Sequence, residues 1–282
     1  MRAANWIALV AIVSSGMGPA LASDDSCEFR AERKAGIDAA GATKIVLRTG
    51  AGDLNVNGRA NATRIEAHGT ACATKQALLD QVQLSVRREG DVVYVETQMP
   101  QDQGLSWGKN DNANIDLNIA LPNLIAVDAV DSSGDATFED LKSLTLQDSS
   151  GDLDLTRIAG GVDVGDSSGD LEIHGAGSVR VRDSSGDVGI QDVKGDVTVV
   201  ADSSGDLEVR QVDGSVKIEQ DSSGGIRVED VRGSVTVDSD SSGDIYAGRV
   251  RGDFTVKEDS SGSIGHESIG GKITVPRNHA ED

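Results

Sequence analysis

From residue 131 onward, apolar and polar positions keep one frame. In the stretch that starts at Asp202, Leu207 and Val209 alternate with Glu208, and Val216 and Ile218 alternate with Lys217. A period of two predicts short strands with one face inward. A glycine precedes each run, at Gly205, Gly214, Gly224, Gly233, Gly243, Gly252, Gly262 and Gly271, with spacings of 9 and 10 in turn. The frame continues back through Gly151, Gly169, Gly186 and Gly195 with one-residue deletions. A repeat of two strands and two turns every 17–19 residues predicts stacked coils. The fold expected is all-β: a two-sheet parallel β-solenoid, right-handed, of about eight coils over residues 123–275. At about 4.8 Å per coil the stack would be roughly 38 Å long.

One turn of each coil is invariant. Asp-Ser-Ser-Gly starts at Asp131, Asp148, Asp166, Asp183, Asp202, Asp221, Asp240 and Asp259, in steps of 17, 18, 17, 19, 19, 19 and 19. The other turn varies, as in Val193-Lys194-Gly195 and Val250-Arg251-Gly252. Counting back in twos from Leu207 passes Gly205 and reaches Ser203. The same count from Val216 reaches Val212, an apolar slot. Extended geometry through the turn therefore puts Ser132, Ser149, Ser167, Ser184, Ser203, Ser222, Ser241 and Ser260 inside as a structural ladder of hydroxyls. The aspartates and the second serines would then lie on one outer edge.

Residues 23–122 read differently, as a β-rich N-terminal cap with strand-like runs at 44–49, 82–87, 92–96 and 115–121. A short helix is expected over 75–82, and a loop that carries Trp107 over 101–114. Gly52-Asp53-Leu54-Asn55-Val56 is a degenerate copy of the repeat inside this region. Pro276 ends the last strand, and residues 276–282 form a charged tail.

Residues 1–22 read as a secretory signal peptide: Arg2, a short apolar stretch from Trp6 to Val13, and Ala20-Leu21-Ala22 before Ser23. This implies an exported protein, periplasmic or secreted. Cys27 and Cys72 are the only cysteines. In an oxidising compartment they are expected to form a disulfide, with two free buried thiols as the alternative.

The chain has 47 acidic and 26 basic residues, a net charge of −21. That balance argues against nucleic acid and anionic membrane as partners, and no run is apolar enough to insert in a bilayer. It suits solubility outside the cytoplasm, or binding of cations or basic surfaces, and the partner expected is an unidentified one in the cell envelope or outside the cell.

The signal peptide, the strand ending in Leu121-Pro122 and the S-G-D-[LVI]-x-[VIL] repeats together resemble the bacterial putative-adhesin family of exported β-strand-repeat domains of unknown function, similar to autotransporter-adhesin heads. The resemblance covers most of residues 40–275. It implies an exported, non-enzymatic, adhesin-like β-solenoid and supplies no catalytic residue.

Chemistry on the invariant turn has three readings. Stacking alone can require matched turns, with Asp as a cap and Gly in a strained backbone conformation. Aspartates stacked about 4.8 Å apart repel by roughly 0.9 kcal/mol per neighbour pair even at the dielectric of water. Calcium at Asp131, Asp148, Asp166, Asp183, Asp202, Asp221, Asp240 and Asp259 would relieve this, and it is the one cofactor the pattern suggests. A repetitive surface for a polymer is the third reading. A polysaccharide-acting β-helix enzyme is disfavoured, because aromatic residues are 2% of the chain and no singular Asp/Arg/His cluster breaks the repeat. His68, His174, His266 and His279 share no register with a Ser or Cys, and Arg251-Gly252-Asp253 falls in the repeat frame.

Overall fold

The computed structural model describes residues 27–100 and 111–276. The signal-peptide reading, Trp107 and residues 277–282 of the tail lie outside these. The chain divides into two compact units after Asp131, not after Pro122.

The first unit contains β1 (Phe29–Asp38), β2 (Lys44–Arg48), β3 (Leu54–Arg59), β4 (Arg64–Ala73), a one-turn helix α1 (Gln76–Leu79), β5 (Gln83–Glu89), β6 (Val92–Gln98), β7 (Ala113–Pro122) and β8 (Ala126–Val130). One sheet runs β1-β4-β7-β3, antiparallel except for the parallel β7–β3 pair. The other runs β5-β6-β2-β8, with β2 parallel to both neighbours. Pairing with β2 is what keeps β8 in this unit. Each sheet buries one face, with Ile45, Leu47, Val93 and Val95 in one and Val56, Ile65, Leu117 and Ile119 in the other.

The second unit has β9 (Ala136–Glu139), β10 (Ser143–Gln147), β11 (Leu153–Gly165), β12 (Leu171–Arg182), β13 (Val188–Val193), β14 (Val197–Ala201), β15 (Leu207–Val212), β16 (Val216–Ile218), β17 (Ile226–Val231), β18 (Val235–Asp240), β19 (Ile245–Val250), β20 (Phe254–Asp259), β21 (Ile264–Ile269) and β22 (Ile273–Thr274). All pair in parallel. One sheet stacks β9, the first half of β11, the first half of β12, β13, β15, β17, β19 and β21. The other stacks β10, the second halves of β11 and β12, β14, β16, β18, β20 and β22. This is the expected two-sheet solenoid. Val188, Leu207, Ile226 and Ile245 share one inward position, as do Val197, Val216, Val235 and Phe254. Stacking identical positions lets each β-branched or leucine side chain pack on its like, so most of the core needs no aromatic bulk, with Phe138 and Phe254 as buried exceptions.

Candidate functional site

The invariant turn forms one edge of the second unit, and its inside and outside are reversed from the parity expectation. Asp131, Asp148, Asp166, Asp183, Asp202, Asp221, Asp240 and Asp259 are all buried, between 1% and 7% exposed. Ser132, Ser149, Ser167, Ser184, Ser203, Ser241 and Ser260 are exposed and Ser222 is half-buried, so the first serines form no inner ladder. The count in twos fails at the glycine. Gly205 has φ +126°, and its counterparts lie between +113° and +143°. An extended chain alternates faces, but a positive φ turns the backbone and resets the alternation. The same glycines admit no side chain. A Cβ on Gly151, Gly169, Gly186, Gly205, Gly224, Gly243 or Gly262 would overlap the carbonyl oxygen of the glycine one coil earlier.

The hydroxyl ladder exists, but the second serine makes it. Ser150, Ser168, Ser185, Ser204, Ser223, Ser242 and Ser261 each donate Oγ–H to the carbonyl of the first serine in the preceding coil, at 3.0–3.4 Å. The residue after the glycine bonds the coils a second time. The N–H groups of Asp152, Asp170, Asp187, Asp206 and Gly225 donate to the carboxylate of the residue one coil earlier, at 2.8–3.1 Å. Ser263 N–H does the same to Asp244 at 2.9 Å. These bonds tie the outer carboxylates to the next coil.

The buried aspartates sit less comfortably. One oxygen of Asp166 accepts the N–H groups of Ser167 at 2.7 Å and Ser168 at 3.3 Å, which is an Asx turn. Asp240 and Asp259 accept from Ser242 at 3.2 Å and Ser261 at 3.1 Å. The N–H groups of Ser184, of Ser203 and Ser204, and of Ser222 approach Asp183, Asp202 and Asp221 without forming a hydrogen bond of good geometry. Burial, then the neighbouring carboxylates, pushes Asp183 and Asp221 up to about 7. Burial likewise raises Asp202 to about 6, with Asp187 adding to it, and raises Asp166 and Asp240. Among the described residues no three His, Cys, Asp or Glu side chains converge as metal ligands would.

The opposite corner of the coil holds a feature the sequence reading missed. Asp140, Arg157, Asp192, Gln211, Asp230, Arg249 and Ser268 all have φ between +55° and +60°, and Gly175 completes the series at +78°. Each lies nine positions after a column aspartate. Left-handed backbone costs a non-glycine residue roughly 1–2 kcal/mol. Part of this is offset across coils: Arg157 binds Asp140 at 2.8 Å, and Arg249 binds Asp230 at 2.7 and 2.8 Å. The corner borders an open groove of about 960 Å³, which also carries Lys194, Arg232 and Arg251. Nothing in a hydrophobic pattern marks these residues, because they differ in type from coil to coil.

Cys27 and Cys72 form a disulfide, with Cα atoms 5.4 Å apart and a sequence separation of 45. It ties the start of the described chain to β4. Among the described residues no helix is long and apolar enough to cross a membrane.

The fold and its stacked turns define a β-solenoid whose repeat is used for bonding between coils. Residues 42–279 match the family model Toastrack DUF4097, and the chain belongs to that family. It is similar to the structure of a putative adhesin from Bacteroides fragilis NCTC 9343, with 12% identity over 86% of this chain and 96% of that one and a TM-score of 0.43. It is also similar to a putative lipid binding protein from Parabacteroides distasonis ATCC 8503, with 15% identity, 87% and 97% coverage and a TM-score of 0.39. A third similar structure is a putative cell adhesion protein from Clostridium sporogenes ATCC 15579, with 13% identity, 87% and 99% coverage and a TM-score of 0.29. No curated protein matches the chain.

Proposed function

We propose that this protein is a non-enzymatic extracytoplasmic module, structural or adhesin-like, that binds a partner in the cell envelope or outside the cell. The observation that carries this reading is the use of the invariant turn: the second serine's hydroxyl, the first serine's carbonyl and the glycine all serve in joining one coil to the next. Repetition here serves the stacking of coils, and the surfaces left for a partner are the outer sheet faces and the corner groove. The disulfide supports an oxidising compartment.

The test is binding of the purified protein to isolated envelope fragments, measured beside a charge-reversed groove variant, Arg232→Glu with Arg251→Glu. Saturable binding that the variant weakens supports the module. Absence of saturable binding, together with release of soluble fragments from envelope polysaccharide, would point to an enzyme instead.

A calcium-dependent solenoid is the second reading. The buried carboxylate oxygens of Asp183, Asp202 and Asp221, which no well-formed hydrogen bond satisfies, favour it. Calcium asks for about six to eight oxygens around one point, whereas a column brings together only successive neighbours. Thermal unfolding with calcium and with chelator tests it: a calcium-dependent rise in the midpoint is its signature.

A further inference from the structure

Seven carboxylates, from Asp148 to Asp259, lie inside the second unit, one in each successive coil. The charged groups that act most strongly on the five central members are carboxylates. Asp166 feels Asp152. Asp183 feels Asp202, Asp166 and Asp170, and Asp202 feels Asp187. Asp221 feels Asp202 and Asp240, and Asp240 feels Asp259. The other inward positions are apolar, as with Leu207, Val209, Val212, Val216 and Ile218 in the coil from Asp202. An ionised carboxylate in such a place is costly unless it is paired.

The stacking also shows how the cost can be relieved. The carboxyl groups of Asp221 and Asp240 come within hydrogen-bonding range of each other, as do those of Asp148 and Asp166. Two ionised carboxylates are both acceptors, so such a contact becomes a bond only with a proton between them. Parallel register sets Asp202 beside Asp221, Asp221 beside Asp240 and Asp240 beside Asp259.

We propose that the aspartate column is a proton store inside the solenoid: neighbouring carboxyl groups share protons along the stack, so that mild acid tightens the coils and alkali loosens them. The sign follows from linkage. Asp166, Asp183, Asp202, Asp221 and Asp240 hold protons more firmly folded than unfolded, so the folded state binds more protons between the ordinary aspartate range, about 4, and about 7, and stability falls as pH rises through that window.

The experiment is thermal unfolding of the purified protein at about pH 5 and about pH 8, beside the triple variant Asp183→Asn, Asp202→Asn, Asp221→Asn. The expected result is a higher midpoint in acid for the unsubstituted protein, with a smaller pH response and a higher midpoint at alkaline pH for the variant. An unchanged pH response in the variant would assign the effect to exterior carboxylates and overturn the proposal. Carboxyl 13C NMR titration of the unsubstituted protein gives a readout that needs no variant. Several carboxyls titrating near about 6 to about 7 are expected, and titration of every one near about 4 would overturn the proposal. A midpoint at alkaline pH that calcium raises and the triple variant abolishes would make the ligand a metal ion, and would equally overturn it.

Discussion

The Thr49 hydroxyl donates to the buried Asp131 carboxylate at 2.5 Å. Thr49 precedes Gly52 by three residues, just as each aspartate precedes the glycine of its own turn, and Gly52 has the same positive φ, +121°. The degenerate repeat therefore carries a neutral donor in the position that the later turns fill with a carboxylate. β2 and β8 run parallel, with Arg48 beside Val130, and this register brings the two residues together.

Replacing Thr49 with Val keeps the shape and removes that donor. The expected loss is about 1–3 kcal/mol, the usual cost of withdrawing a partner from a buried polar group. Urea unfolding at neutral pH measures it.

The two serines of a turn separate cleanly by substitution. Ser223→Ala removes the 3.0 Å bond to the Ser203 carbonyl and is expected to cost about 1 kcal/mol. Ser203→Ala alters an exposed side chain and should stay within about 0.5 kcal/mol. Equal effects in denaturant titrations would contradict the assignment of the ladder to the second serine.

Glycine replacement tests whether φ or close stacking dominates. Gly90 has φ +64° with open space around its missing Cβ, so Gly90→Ala is expected to cost about 1–2 kcal/mol. Gly205→Ala meets both the positive φ and the Gly186 carbonyl, and should cost more than about 3 kcal/mol or prevent folding. Comparing soluble yield and unfolding midpoint for the two variants decides the point.

Opening the Cys27–Cys72 disulfide releases a long loop. The chain-entropy model gives about 4 kcal/mol for a closure of this length. Thermal unfolding with and without reductant should show a lower midpoint in the reduced protein, and a Cys27→Ser, Cys72→Ser double variant should match it.

Strong acid should reverse the benefit expected from the column. Hydrogen bonds from Arg157 and Arg249 hold Asp140 and Asp230 below the ordinary carboxylate range. A depressed folded pKa gives stability that is present above the unfolded value, near about 4, and lost as pH falls through the folded one. The unfolding midpoint is therefore expected to peak in mild acid and to drop again below about pH 4.

Period-two alternation and the glycine frame determined the solenoid, its two sheets and its coil length, because stacking like on like writes the same pattern into every repeat. β1 and β4 escaped that reading. Inward positions of β4 are small, as with Ala67, Gly69, Ala71 and Ala73, and alternation of small residues does not stand out from a polar run. The facing of the invariant turn was not legible either. A strand carries its parity in sequence, but a positive φ at glycine shifts it by one, and sequence spacing does not record a dihedral angle. Only the tertiary structure placed the aspartates inside, the first serines outside and the left-handed residues along the far corner, because backbone direction at a turn is set by how one coil lies on the next.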